Sequence, residues 1–129
     1  MAGGVSEAIA LGLFCKLEIF IPESHFDALR VALRRVDAGH IGRYDCCLSY
    51  SRVMSCWRPL AGTSPFLGKE GELSCEPELK VETVCRTDRL QETLDAVRAV
   101  HPYEEPVINA LPLLATGLQT SVEKEEKCP

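Results

Sequence analysis

One pattern limits the fold more than any other in this chain. A strictly alternating segment followed by a helical stripe occurs twice. In residues 15–21, Cys15, Leu17, Ile19 and Ile21 fall on one side and Lys16, Glu18 and Phe20 on the other, and Pro22 ends the run. That is the signature of a half-buried strand. Ser24 then stands where a helix N-cap is expected, with Asp27 in the first turn, and Phe26, Leu29, Leu33 and Val36 recur at helical spacing up to Gly39. Residues 79–86 repeat the strand pattern, setting Leu79, Val81, Thr83 and Cys85 against Lys80, Glu82, Val84 and Arg86. Asp88 and Gln91 resemble a capping box, Leu90, Leu94 and Val97 form the apolar stripe, and His101-Pro102 stops the second helix.

Between the two units, residues 44–50 and 53–59 are rich in strand formers, and the Ser51-Arg52 break predicts that they pair as a hairpin. Residues 61–78 hold Gly62, Pro65, Gly68, Gly71 and Pro77, which predicts a long irregular connection. Residues 107–113 read as a last strand, with Pro112 placing it at an edge. The order is β-α-β-β-α-β, the ferredoxin-like split pattern of the α+β class, with an extra hairpin and long loop in the middle. Right-handed crossovers put both helices on one face of an antiparallel sheet. The expected domain spans residues 14–115, between a loose tail over 1–13 and a charged, disordered tail over 116–129.

Composition narrows the function. The 129 residues carry 14 Lys and Arg against 19 Asp and Glu, a net charge of -5, which argues against a nucleic-acid binder. No apolar run reaches the ~20 residues of a membrane helix, and residues 1–13 lack the basic start of a secretory signal, so a cytoplasmic protein is expected. The seven cysteines, at 15, 46, 47, 56, 75, 85 and 128, show no Cys-x-x-Cys spacing and are read as free thiols.

Three stretches, Phe20-Ile21-Pro22-Glu23-Ser24, residues 39–47 (GHIGRYDCC) and His101-Pro102-Tyr103-Glu104-Glu105-Pro106, occur in order with residues 58–68 (RPLAGTSPFLG) and Gly71-Glu72-Leu73. Together they resemble the inserted domain of the YqfO-type dinuclear-metal proteins, also found alone, which is similar in fold to the CutA divalent-ion-tolerance proteins and the P-II nitrogen regulators. The resemblance implies a ferredoxin-like domain that self-associates through its sheet, typically as a trimer. The metal-binding halves that flank the insert in those proteins are not expected within these 129 residues, so their catalytic role is not carried over.

Candidate sites follow. His101, Tyr103, Glu104 and Glu105 form a ligand or interface turn, in which Pro102 and Pro106 fix the backbone. Its imidazole and carboxylates are also candidate ligands for a divalent transition ion, near Ser24 and His25. A second metal option joins Cys46 or Cys47 to Cys56 across the expected hairpin for a soft ion, so His101, Glu104, Cys46 and Cys56 are the candidate metal ligands. Phe20 and Val84 on the uncovered sheet face, with Trp57 and Phe66, are candidate interface residues. The loop from Gly62 to Gly68 lacks the lysine and following helix of a phosphate loop, and His40 is read as a surface histidine. No nucleophile–base arrangement stands out, so no enzyme is expected. The reading is a self-associating binding or regulatory module. Its alternatives are a CutA-like metal binder and an assembly module for a partner protein.

Overall fold

Alternation in the first unit folds as read. In the computed structural model, which describes residues 12–117, strand β1 (Phe14–Ile21) buries every second residue. Leu17, Ile19 and Ile21 have no exposure at all. A 3-10 turn (Glu23–His25) leads into helix α1 (Phe26–Arg35), strand β2 (Ser49–Trp57) and strand β3 (Ser74–Arg86). A second 3-10 turn (Thr87–Arg89), helix α2 (Leu90–Val100) and strand β4 (Ile108–Pro112) complete the chain. The four strands are antiparallel in the order β2-β3-β1-β4, so the two central strands are β3 and β1. This is the α+β, ferredoxin-like arrangement, with Pro112 on an edge strand where its missing N–H costs no ladder bond.

The core lies between the sheet and both helices. Leu29 and Leu33 of α1, Val97 of α2, and Leu17, Ile19, Leu79 and Val81 of the sheet are buried together. Phe26, Leu90, Leu94 and Ile108 pack against them. Each fully buried aliphatic side chain contributes about 1.5–3 kcal/mol of transfer free energy. The opposite face carries charges in facing pairs. Lys16 meets Glu82 at 2.5 Å and Lys80 meets Glu18 at 3.6 Å, with half-buried Phe20 and Val84 among them.

Four expectations are corrected. The hairpin of residues 44–50 with 53–59 does not form: β2 runs unbroken through Ser51 and Arg52 and pairs with β3 from Ser49↔Glu82 to Trp57↔Ser74. Cys46 takes a φ of 58°, a left-handed conformation that a strand cannot pass through, so residues before Ser49 turn instead. β3 begins at Ser74, five residues earlier than the alternation suggested. Before Leu79, from Ser74 to Glu78, it has only β2 as a neighbour, and an edge of that kind tolerates Pro77. Neither helix has a side-chain cap: the Ser24 hydroxyl meets His25 Nδ1 at 2.8 Å, Asp88 pairs with Arg86, and Gln91 donates to Asp95. Finally, Cys56 and Cys75 are not free thiols. They face each other across β2 and β3 and are joined as a disulfide. The tails expected over 1–13 and 116–129 fall almost wholly outside the described residues. Among the described residues no helix is long and apolar enough to cross a membrane.

Candidate functional site

The end of α2 builds the site. His101 leaves the helix with extended backbone (φ -79°, ψ 131°), as a residue before proline must, and its ring turns inward to 8% exposure. Nε2 lies 2.6 Å from the Phe20 carbonyl oxygen at the end of β1, and Nδ1 receives the Tyr103 N–H at 3.2 Å. One nitrogen therefore donates and the other accepts, which fixes a neutral imidazole with its proton on Nε2. Burial pushes the His101 pKa down, outweighing the Phe20 hydrogen bond. The residue is a clamp that ties the helix exit to the central strand.

That clamp aims Tyr103. Its ring lies 4.9 Å from the His101 ring and 6.0 Å from both the Trp57 and Phe66 rings, centroid to centroid. The Tyr103 hydroxyl is buried beside the Glu78 carboxyl without forming a well-aligned hydrogen bond. Burial first, and the Glu78 carboxyl second, push the phenol pKa far up, so it stays protonated at any physiological pH. Glu78 sits on the outer face of β3, two residues from Lys80, and is 4% exposed. Among the described residues no basic side chain forms an ion pair with it.

The connection over residues 58–73 straps across this end. The Trp57 indole N–H donates to the Leu67 carbonyl (3.3 Å), the Ser64 N–H to Glu104 Oε1 (3.0 Å), and the Gly71 N–H to the Pro59 carbonyl (2.7 Å). Phe66 meets the His25 ring edge-on at 5.5 Å. Gly68 holds a φ of 95°, and a Cβ there would stand 2.6 Å from the Ser74 hydroxyl, so only glycine lets the strap pass. Beneath it lies a cavity of about 480 Å³, walled by Phe20, Trp57, Phe66, Tyr103 and Val107. The charged residues lining it are Glu78, Glu104 and Glu105.

The sequence-derived candidates are thus partly assembled. Tyr103, Glu104 and Glu105 share one cavity with Phe20, Trp57 and Phe66, while Val84 lies apart on the open sheet face opposite Lys16. The metal sets are not assembled. Both His101 nitrogens are spent on backbone atoms, and Glu104 accepts from Ser64. The Cys56 sulfur is bonded to Cys75, and Cys46 lies beside a separate cavity of about 310 Å³ with Asp27, Arg30 and Leu48. Among the described residues no group of three or more His, Cys, Asp or Glu side chains is placed to hold an ion. Glu78 escaped the sequence reading because the strand, which begins at Ser74, was started at Leu79. Its signal was its place in the outer-face series Glu78, Lys80, Glu82.

No family model matches the chain. It is 41% identical over 102 residues to the GTP cyclohydrolase 1 type 2 homolog of Halalkalibacterium halodurans, covering 79% of this chain and 27% of that protein. It is 35% identical over 101 residues to the Bacillus subtilis protein of the same name, covering 78% and 27%. The chain therefore spans about a quarter of the length of the curated relatives it matches. Among solved structures it is similar to a Bacillus cereus protein related to NIF3, with TM-score 0.69 and 28% identity over 84% of this chain and 30% of that one. The periplasmic divalent cation tolerance protein CutA of Archaeoglobus fulgidus shares the fold at TM-score 0.60 and 19% identity, covering 81% of this chain and 87% of that one. GlnK of Bacillus subtilis shares it at TM-score 0.54 and 20% identity, covering 78% and 85%.

Proposed function

From a chain that is homologous to one segment of the GTP cyclohydrolase 1 type 2 homolog proteins and has the fold of CutA and GlnK, we propose a self-associating module that binds a small ligand and has no catalytic group of its own. The observation that carries this reading is the strapped cavity. It is a concave, aromatic-walled space with a few convergent polar groups, the usual make-up of a small-molecule site. The imidazole beside it is spent as a clamp, which supports binding over proton transfer. Self-association is proposed through the outer sheet face. Half-buried Phe20 and Val84 lie there among the Lys16–Glu82 and Lys80–Glu18 pairs, a pattern that a second copy can cover in register.

The chain has one tryptophan, so the indole N–H of Trp57 gives a single reporter in the cavity wall. Adding phenyl-bearing probes should shift that resonance saturably, with one site per chain. An indole signal that none of them moves contradicts the binding role. Native mass spectrometry should find a trimer with no metal added, and a monomer at every concentration contradicts self-association through the sheet.

A further inference from the structure

The cavity's chemistry narrows what it takes. Its walls are the rings of Phe20, Trp57, Phe66 and Tyr103 with Val107, and its charged groups are carboxylates alone. Two of its donors are already used: the Trp57 N–H bonds the Leu67 carbonyl, and the Thr63 hydroxyl bonds the Leu60 carbonyl at 2.7 Å. Lys80 reaches the face of Phe20, with Nζ 6.0 Å from the ring centroid, but is paired with Glu18. His101 feels the Glu78 charge yet is held neutral by its burial, so it supplies no counter-charge. What remains is a carboxylate at 4% exposure without a basic partner, beside a buried phenol whose only polar neighbour is that carboxylate. The phenol O–H points its proton toward the carboxylate, which leaves a carboxylate oxygen and the phenol lone pair open to a cationic donor.

We infer that the cavity binds a small organic cation, a primary ammonium on an aromatic or branched apolar body, with the ammonium placed between Glu78 and the Tyr103 hydroxyl. This rests on the reading of the chain as a ligand-binding module. The apolar body fills the space between the Trp57 and Phe66 rings. The charge gains from the ring faces as well as from Glu78, because an aromatic face attracts a cation. An anion of the same shape meets Glu78, Glu104 and Glu105 together. A neutral body leaves Glu78 unpaired.

Three probes that share a phenylethyl body separate these cases: 2-phenylethylammonium, 2-phenylethanol and 3-phenylpropanoate, each titrated into the full chain near neutral pH at low salt and followed by Trp57 fluorescence and heat. The ammonium should bind about tenfold tighter than the alcohol, and the carboxylate more weakly than both. Glu78→Gln should remove that preference, bringing the ammonium to the alcohol's affinity and leaving the alcohol's own unchanged. Because a substitution at a buried site can unfold the chain, Glu105→Gln is the second variant. Its exposed side chain should cost the ammonium about twofold and the alcohol nothing. Equal binding of ammonium and alcohol, or preference for the carboxylate, overturns the cationic ligand while the binding module stands. Failure of all three probes overturns both.

Discussion

Replacing His101 by alanine tests the clamp on which the site depends. The substitution removes the acceptor of the Tyr103 N–H and the donor to the Phe20 carbonyl, and it empties a side-chain volume that is 8% exposed. Each buried polar group left unpaired costs about 1–3 kcal/mol, so the two together predict a loss of about 2–6 kcal/mol where water does not refill the space. For a domain near 100 residues that is a fall in Tm of about 10–30 °C. A second signature comes from pH. His101 is depressed below the 6.5 of a free imidazole, so between its folded pKa and 6.5 the unfolded chain binds more protons. Stability of the wild type therefore declines as pH falls below 6.5, and the alanine variant loses that part of the slope. His40, raised by its bond to Asp37, has the opposite sign, its stabilisation being complete below 6.5 and lost above, but it is common to both proteins. Urea unfolding at pH 7.5 and 5.5, at one protein concentration, reads both effects. Wild-type stability with an unchanged pH slope would refute the clamp. Zinc stabilising the wild type but not the variant would point instead to a metal ligand.

Three further outcomes follow from the same geometry. Breaking the Cys56–Cys75 link with reductant reopens a span of 19 residues, which predicts a loss of up to about 3 kcal/mol in urea unfolding. A Cys75→Ser variant should be insensitive to reductant, and an unaffected wild type would contradict the link. Gly68→Ala forces a side chain into φ 95° and against Ser74, which costs about 1–3 kcal/mol, lifts the strap, and should shift Trp57 emission to the red. Unchanged emission would mean the strap does not need glycine. Val84→Glu adds a charge to the outer sheet face without touching the core, so light scattering should find monomers with wild-type circular dichroism. A persistent oligomer would place the interface elsewhere.

How much of this the sequence disclosed depended on burial. β1 lies between two strands with helices on one face, so its residues alternate without exception, and both helices carry a clear apolar stripe. β2 is an edge strand exposed along most of its length, so nothing in it must alternate, and Ser51-Arg52 looked like a break. Arg52 instead reaches out from the strand to Glu23. The disulfide was hidden for a related reason. Cys56 and Cys75 become neighbours only once the register of β2 on β3 is known, and spacing alone does not supply it. At the site, His101 through Glu105 was legible as a turn because two prolines frame it. That Trp57 and Phe66 close over Tyr103 was not, since the path of the strap depends on Gly68 and on backbone bonds that leave no periodic trace. Glu78 was missed because Pro77 reads as a breaker, and the strand around it is open on one side.

The most direct test of the account is an amide and indole chemical-shift map of the full chain titrated with 2-phenylethylammonium. Saturable shifts at the Trp57 indole, Phe66, Tyr103 and Val107, absent in Glu78→Gln, are the predicted result. Shifts confined to the other cavity beside Arg30 and Cys46, or none at all, would contradict the assignment of the strapped cavity as the binding site.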